Sequence, residues 1–135
     1  MYRANGNYLE KDKTNSQYEG FRRRERIMEI ILLMWAHFIG DFLLQNDKMA
    51  LNKSKSNLWL GIHSLVYSLP LVFFGFQFAV FNGIFHYLID WVTSRGTTKL
   101  WLANERHWFF VLIGFDQTIH VTILLLSYSL TSVLY

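Results

Sequence analysis

The stretch His37-Phe-Ile-Gly-Asp41-Phe-Leu-Leu-Gln45 places a histidine and an aspartate four residues apart inside a long apolar segment. On a helix, side chains at this spacing lie on one face, one turn apart. The spacing recurs twice later in the chain, as His86-Tyr-Leu-Ile-Asp90 and, in reverse order, as Asp116-Gln-Thr-Ile-His120. The pattern predicts apolar helices that each carry a polar pair on one face.

Four apolar segments fill most of the chain after residue 26. Each has about 17–22 residues, which as a helix spans roughly 25–33 Å and matches a hydrocarbon core of about 30 Å. We therefore predict an all-α polytopic membrane protein whose four transmembrane helices form an antiparallel bundle, at about residues 27–45, 58–74, 76–93 and 107–128. A soluble helical bundle is disfavoured, because its helices would show a polar outer stripe.

Charge is concentrated outside these segments. Of the 135 residues, 52% are hydrophobic and 17% charged, and the formal net charge is +3. Residues 1–26 are predicted to be a disordered, polar and basic tail, because they carry too little apolar surface to pack; residues 27–135 are the predicted membrane domain. Basic clusters beside apolar spans ordinarily face anionic lipid, so the expected partner is the lipid bilayer and not nucleic acid.

The orientation and the true start of the chain remain open at this stage. The positive-inside rule places both basic loops in the cytoplasm, but an even number of spans then leaves the basic tail outside. A start at Met28 removes the conflict, and we favour the loops inside. The oligomeric state is also open.

Polar side chains within the apolar segments indicate a site. An aspartate near the centre of a membrane helix costs roughly 2.5–3.5 kcal/mol if it faces lipid. Asp41, Asp90 and Asp116 must therefore face one another, a cavity or a cation. Counted from the basic loops, one layer roughly 9–14 Å below one membrane face contains His37, His63, His86 and Asp116. Asp41 and Asp90 are expected somewhat nearer that face, and His120 somewhat deeper.

Histidine nitrogens and carboxylate oxygens, without any cysteine, suit Zn²⁺, Mn²⁺ or Fe²⁺. We predict a divalent metal site with ligands from all four segments: His37, Asp41, His63, His86, Asp90, Asp116 and His120. Around the ligands we expect Gln45, Tyr67 and Gln117. Contacts to lipid headgroups or an anion are predicted for Lys48, Arg95, Lys99 and Arg106.

These motifs resemble an uncharacterised family of bacterial and phage membrane proteins, the domain of unknown function number thirty-three oh seven. The resemblance covers about residues 28–127 and rests on the strings that begin at His37, His63, His86 and Asp116, which occur in order. It implies a multi-pass protein of the bacterial inner membrane, in some cases phage-encoded, and no established activity. The polar pattern is also distantly similar to inner-membrane metal-dependent hydrolases.

The favoured function is therefore an integral membrane protein of unknown activity with a His/Asp cation site. Whether it is an enzyme stays open; a metal-dependent hydrolase acting on a lipid or another membrane-borne substrate is one interpretation, with no catalytic base assigned. A second is a non-enzymatic adaptor or holin-like protein whose polar layer only holds the helices together. A third is a proton or ion pathway.

Overall fold

The computed structural model describes residues 4–134, and within them it is mainly helical, with no strand. The prediction of an all-α fold is confirmed. The elements in chain order are α1 (Ala4–Phe38), a π-helix (Ile39–Leu43), α2 (Asp47–Asn52), α3 (Asn57–Ser68), a 3₁₀-helix (Pro70–Phe74), α4 (Phe76–Leu102) and α5 (Arg106–Leu134).

The first helix extends through the segment for which the sequence predicted a disordered tail. Side chains 10–32 are all exposed, so burial does not explain the order. Helix hydrogen bonds are local, and the glutamate, lysine and arginine residues of this segment are good helix formers. The chain divides into two units, Met1–Leu32 and Leu33–Tyr135. Every contact described below lies in the second unit; the extent of the membrane domain stays a prediction.

Two of the predicted helices are interrupted. After Phe38 the backbone widens into a π-helix, where the amide of Leu44 bonds to the carbonyl of Ile39 at 2.9 Å. The helix α3 tightens into a 3₁₀-helix at Pro70, because proline lacks an amide hydrogen and cannot continue α-helical bonding. Gly75 then forms the turn to α4 with φ 126°, which glycine adopts readily.

The helix α4 is the centre of the second unit and packs against both α3 and α5. Hydrogen bonds join Asn82 to Ser127 and Thr93 to Asp116, so α5 runs antiparallel to α4. The helix α4 continues to Leu102, beyond the predicted segment end at residue 93, and the short α2 lies in the predicted loop between the first two segments.

One helix among the described residues, over Arg106–Thr131, is long and apolar enough to cross a membrane. Judged by length and composition, the described residues therefore do not support the prediction of four transmembrane helices. The apolar part of α1 is broken at Ile39, α3 has 12 residues, and α4 carries Asn82 and Asp90 within its apolar part.

The interior has an apolar half and a polar half. The apolar cluster is made of Leu33, Ala36, Tyr67, Leu71, Phe78, Ala79 and Leu124. The polar half lies nearer to α2 and to the turn between α4 and α5, and it contains all seven predicted metal ligands in buried positions.

Candidate metal centre

Four donor atoms from three elements meet in the polar half. The Nε2 atom of His63 lies 3.0 Å from Nε2 of His86, 3.2 Å from Oδ1 of Asp41 and 3.3 Å from Oδ2 of Asp90. The Nε2 atom of His86 lies 3.6 Å and 3.7 Å from the same two carboxylate oxygens. The π-helix supplies Asp41, α3 supplies His63, and α4 supplies the other two.

These spacings match the edges of a tetrahedral ligand shell. Bonds from Zn²⁺ to nitrogen or oxygen of about 2.0–2.1 Å require ligand atoms about 3.3–3.4 Å apart. Five of the six edges have separations from 3.0 to 3.7 Å, which bracket that value. The donor atoms of Asp41, His63 and His86 lie close enough together to hold one small cation, and Asp90 lies beside both histidines.

A second group of possible ligands shares two of these residues and adds His120 from α5. The Nε2 atom of His120 lies 3.9 Å from Oδ1 of Asp90, and its Nδ1 atom lies 3.5 Å from Oδ2 of Asp116. Both ring nitrogens of His120 are buried without a hydrogen-bond partner among the described residues, as is Nδ1 of His63 and of His86. Only the nitrogens of His120 among these atoms belong to a candidate ligand atom set, because Nδ1 of His63 and of His86 is the ring nitrogen opposite the donor atom Nε2.

The side chain of Gln117 connects the carboxylates at the centre. Its Nε2 group donates to Oδ2 of Asp41 at 2.7 Å and to Oδ2 of Asp116 at 3.1 Å. Its Oε1 atom lies 3.0 Å from Nε2 of His37. Such contacts orient ligating carboxylates, which is the role predicted for Gln117.

Two predicted ligands lie outside both groups. The ring of His37 is engaged at both nitrogens, by Gln117 and, at 3.3 Å, by the hydroxyl of Tyr67. Asp116 accepts a 2.6 Å hydrogen bond from Thr93 and lies beside His120. Tyr67 itself stacks on His86, with ring centroids 3.9 Å apart and an interplanar angle of 13°. His37 and Asp116 are thus placed to orient the other groups.

The sequence comparisons place the chain in a family. A family model described as "Protein of unknown function (DUF3307)" matches residues 30–135, which include the whole polar half. The chain belongs to this family. The resemblance drawn from the motifs is confirmed to that extent, while its membrane and hydrolase implications stay predictions. No curated protein and no solved structure gives a significant match.

Lys53 is the main site residue of this DUF3307 domain that the sequence did not predict. Its Nζ atom donates to Oδ2 of Asp90 at 2.8 Å and lies 3.3 Å from Nε2 of His63. Lys53 follows α2, and without that helix the lysines of the loop could not be told apart. Thr93 was also missed, although it lies three residues after Asp90 on the polar face of α4 and the sequence carried that signal.

The residues predicted to contact headgroups lie outside the buried interior of the DUF3307 domain. Lys48 and Lys99 are exposed. The guanidinium of Arg95 covers the ring of Trp91 at 4.7 Å, and that of Arg106 covers the ring of Trp101 at 3.5 Å. The contacts predicted for these four residues stay predictions.

A cavity of about 690 Å³ adjoins the donor atoms, and Asp41, Lys53 and Asp90 form part of its lining. Gln45, predicted to lie around the ligands, lines the same cavity, and its Oε1 atom has no hydrogen-bond partner among the described residues. The candidate centre is therefore buried yet approached by a space large enough for part of a small molecule.

Proposed function

We propose that the chain is an integral membrane protein whose polar interior binds one divalent cation between His63, His86, Asp41 and Asp90. The observation that supports this most directly is the agreement of the donor separations with a tetrahedral shell. Four nitrogen and oxygen ligands favour Zn²⁺, while Mn²⁺ or Fe²⁺ would draw His120 into a larger ligand set.

The charges of the polar half support a divalent occupant. Asp41, Asp90 and Asp116 bring three negative charges, and Lys53 brings one positive charge. If the histidines are neutral, as metal ligation requires, the remaining charge of −2 equals that which one divalent cation neutralises. Protonation of two histidines would balance the same charge, so the metal analysis below decides between the two.

The distribution of apolar side chains supports insertion in a bilayer. Large apolar residues point outward from several elements, including Leu65 on α3, Phe73 on the 3₁₀-helix and Phe76 on α4, which are 70%, 93% and 72% exposed. Polar residues occupy much of the interior instead. In a bilayer this arrangement is favourable, and interrupted helices are accepted when neighbouring helices cover them. Four spans follow if each interrupted helix crosses as one unit.

Metal analysis of the detergent-purified protein tests the cation site. After chelation and reloading with Zn²⁺, the wild type should retain about one ion per chain. His86→Gln, which alters a residue common to both ligand groups, should retain none. The matched control is His107→Gln, since His107 is exposed and outside both groups. Loading with Co²⁺ should give the visible absorption of a tetrahedral site in the wild type and in His107→Gln, and not in His86→Gln. Equal metal content in wild type and His86→Gln would contradict the proposal.

Membrane insertion is tested separately. The protein should remain in the membrane pellet after carbonate extraction, because several spans bury far more apolar area than a surface helix. Recovery in the soluble fraction without detergent would contradict insertion, whatever the metal content.

The cavity favours a second, enzymatic candidate, a metal-dependent hydrolase acting on a lipid or another membrane-borne substrate. A bound divalent cation supplies an acidified water and polarises a scissile group. Here Gln117 would hold Asp41 in place, and Lys53 would sit beside a substrate group that enters the cavity. Incubation of lipid extract with cation-loaded protein should release a product that His86→Gln does not; equal product from both would exclude this candidate.

A further inference from the structure

The cavity beside the candidate metal centre combines a charged floor, a polar wall and an apolar rim. Asp41 and Asp90 form the floor, together with Lys53. Hydroxyl groups form the wall, contributed by Ser54, Thr93, Ser94, Thr97 and Thr98. The rim is apolar and largely exposed, with Phe42, Leu51, Trp101 and Leu102.

Two polar atoms on this lining have no hydrogen-bond partner among the described residues. One is the hydroxyl oxygen of Ser94, a residue that is only 7% exposed, and the other is Oε1 of Gln45. The neighbouring hydroxyls of Thr97 and Thr98 are already bonded to the carbonyl of Ser94. A buried polar atom without a partner is costly, so the side chains of these two lining residues are available to pair with a polar group that enters the cavity.

The charges at the cavity indicate which group that is. Lys53 and Lys55 both line it, and Lys55 is exposed at its mouth. Once a divalent cation neutralises the carboxylates of the floor, the two ammonium groups favour an anion with several acceptor oxygens. A phosphoryl group fits this requirement, and the Ser94 hydroxyl can donate to it. A hydroxyl of the same head group can donate to Gln45.

The rim indicates that the anion is carried on an apolar chain. Leu51 and Leu102 are exposed at the mouth, and Trp101 lies beside them. Tryptophan and lysine residues are typical of the interface level of a bilayer, where phosphate head groups lie. A free anion would gain nothing from an apolar rim, whereas the first carbons of an acyl chain would cover it.

We infer that this cavity binds the phosphoryl head group of a membrane lipid, with the phosphate between Lys53 and Lys55 and the start of the acyl chains against Leu51 and Leu102. The inference rests on the proposed function, since it requires both the bilayer and the cation. It adds to that function a ligand class, a phosphate monoester or diester on an apolar tail.

Competition binding to the cation-loaded, detergent-purified protein tests the inference. The probe is radiolabelled short-chain phosphatidate. Unlabelled phosphatidate should displace it, while diacylglycerol with the same chains and inorganic phosphate should each be at least about tenfold weaker. Equal competition by diacylglycerol would show that the phosphate is not recognised, and equal competition by inorganic phosphate would show that the rim is not used. Either result would overturn the inference.

Two pairs of variants locate the binding. Lys55→Gln should weaken phosphatidate binding about fivefold, as expected for one lysine near an anionic head group. Lys13→Gln, a change of an exposed lysine of α1 that is not part of the cavity lining, should leave it unchanged. Ala50→Trp should obstruct the cavity that Ala50 lines, whereas Ala103→Trp should not. Equal binding within either pair would contradict the assignment.

Metal content measured on the same samples separates this inference from the proposed function. All four variants should keep the metal content of the wild type, because none changes a ligand. A wild type that retains its cation but does not prefer phosphatidate overturns the lipid site alone. A wild type that retains no cation overturns both.

Discussion

The apolar half and the polar half of the interior differ in how their buried side chains are packed and paired. In the apolar half, Leu33, Leu71 and Leu124 are completely buried, and they gain only from close packing. In the polar half, buried groups such as His63 and His120 contain nitrogen atoms that have no hydrogen-bond partner within residues 4–134. The first half is packed mainly by apolar side chains, whereas the second brings together polar groups that its own side chains pair only in part.

A polar pair within the apolar half makes the contrast clearer. Asn82 and Ser127 are buried, bond to each other, and each also donates to a backbone carbonyl of its own helix. Their main hydrogen-bonding groups are satisfied, as packing requires. Burial in this fold therefore does not by itself leave polar groups unpaired, in contrast to the histidine nitrogens of the polar half that have no hydrogen-bond partner in the described part of the chain.

Truncation in the apolar half should have the largest effect. Leu124→Ala should lower the free energy of unfolding by about 2–5 kcal/mol, because it leaves a cavity in a packed region. Metal content should not change. The control is Leu126→Ala on the same helix, since Leu126 is exposed. The measurement is reversible denaturation in detergent with metal analysis of the same samples. Loss of metal on Leu124→Ala would contradict the expectation that the apolar half can change without an effect on the polar half.

A change at the junction of the halves should have the next largest effect. A Cβ atom at Gly40 would lie 2.6 Å from the carbonyl oxygen of Tyr67, a residue that packs in the apolar cluster and also stacks on His86. Gly40→Ala should cost about 1–3 kcal/mol, because the backbones must separate. Gly114→Ala, where a Cβ meets nothing within 4 Å, should not destabilise. Equal thermal stability of the two variants would show that the close approach is unimportant.

A change beside the donor atoms should lower the affinity for the cation and leave the fold intact. Asp116→Asn removes the carboxylate next to His120 and leaves a side chain of similar size. Metal affinity should fall about 10–100-fold, or about 1.4–2.8 kcal/mol, as for other groups that orient ligands. Asp12→Asn, at an exposed position of α1, is the control. Titration with a fluorescent Zn²⁺ chelator measures the affinity, and an unchanged value would restrict the site to the four donor atoms.

The smallest effect is expected for the hydrogen-bonded pair of Asn82 and Ser127 in the apolar half. A double-mutant cycle with Asn82→Ala and Ser127→Ala should give a coupling free energy of about 0.6 kcal/mol, typical of hydrogen bonds between membrane helices. Neither variant should alter metal content. A coupling free energy above about 2 kcal/mol would exceed the range typical of hydrogen bonds between membrane helices. It would indicate that this pair lies in a core like that of a soluble protein.

The sequence predicted the features that depend on regular spacing. The pairs His86/Asp90 and Asp116/His120 lie within single α-helices, and their burial follows from that regularity. It did not predict the π-helix at Asp41, because that conformation depends on the close approach of Gly40 to Tyr67, which only the tertiary structure contains. Lys53 was missed for a related reason, since a long flexible side chain can reach a site from many loop positions.

The π-helix also has a consequence for the length of the chain. A π-helical turn in an α-helix is equivalent to the insertion of one residue, and each residue of an α-helix turns the chain by about 100°. Removing one residue from Ile39–Leu43 would restore regular helix bonding in place of the 2.9 Å bond from Leu44 to Ile39. It would also turn Asp41 away from His63. In this segment, a deletion that makes the helix hydrogen bonding more regular would therefore move the Asp41 carboxylate out of the candidate metal centre.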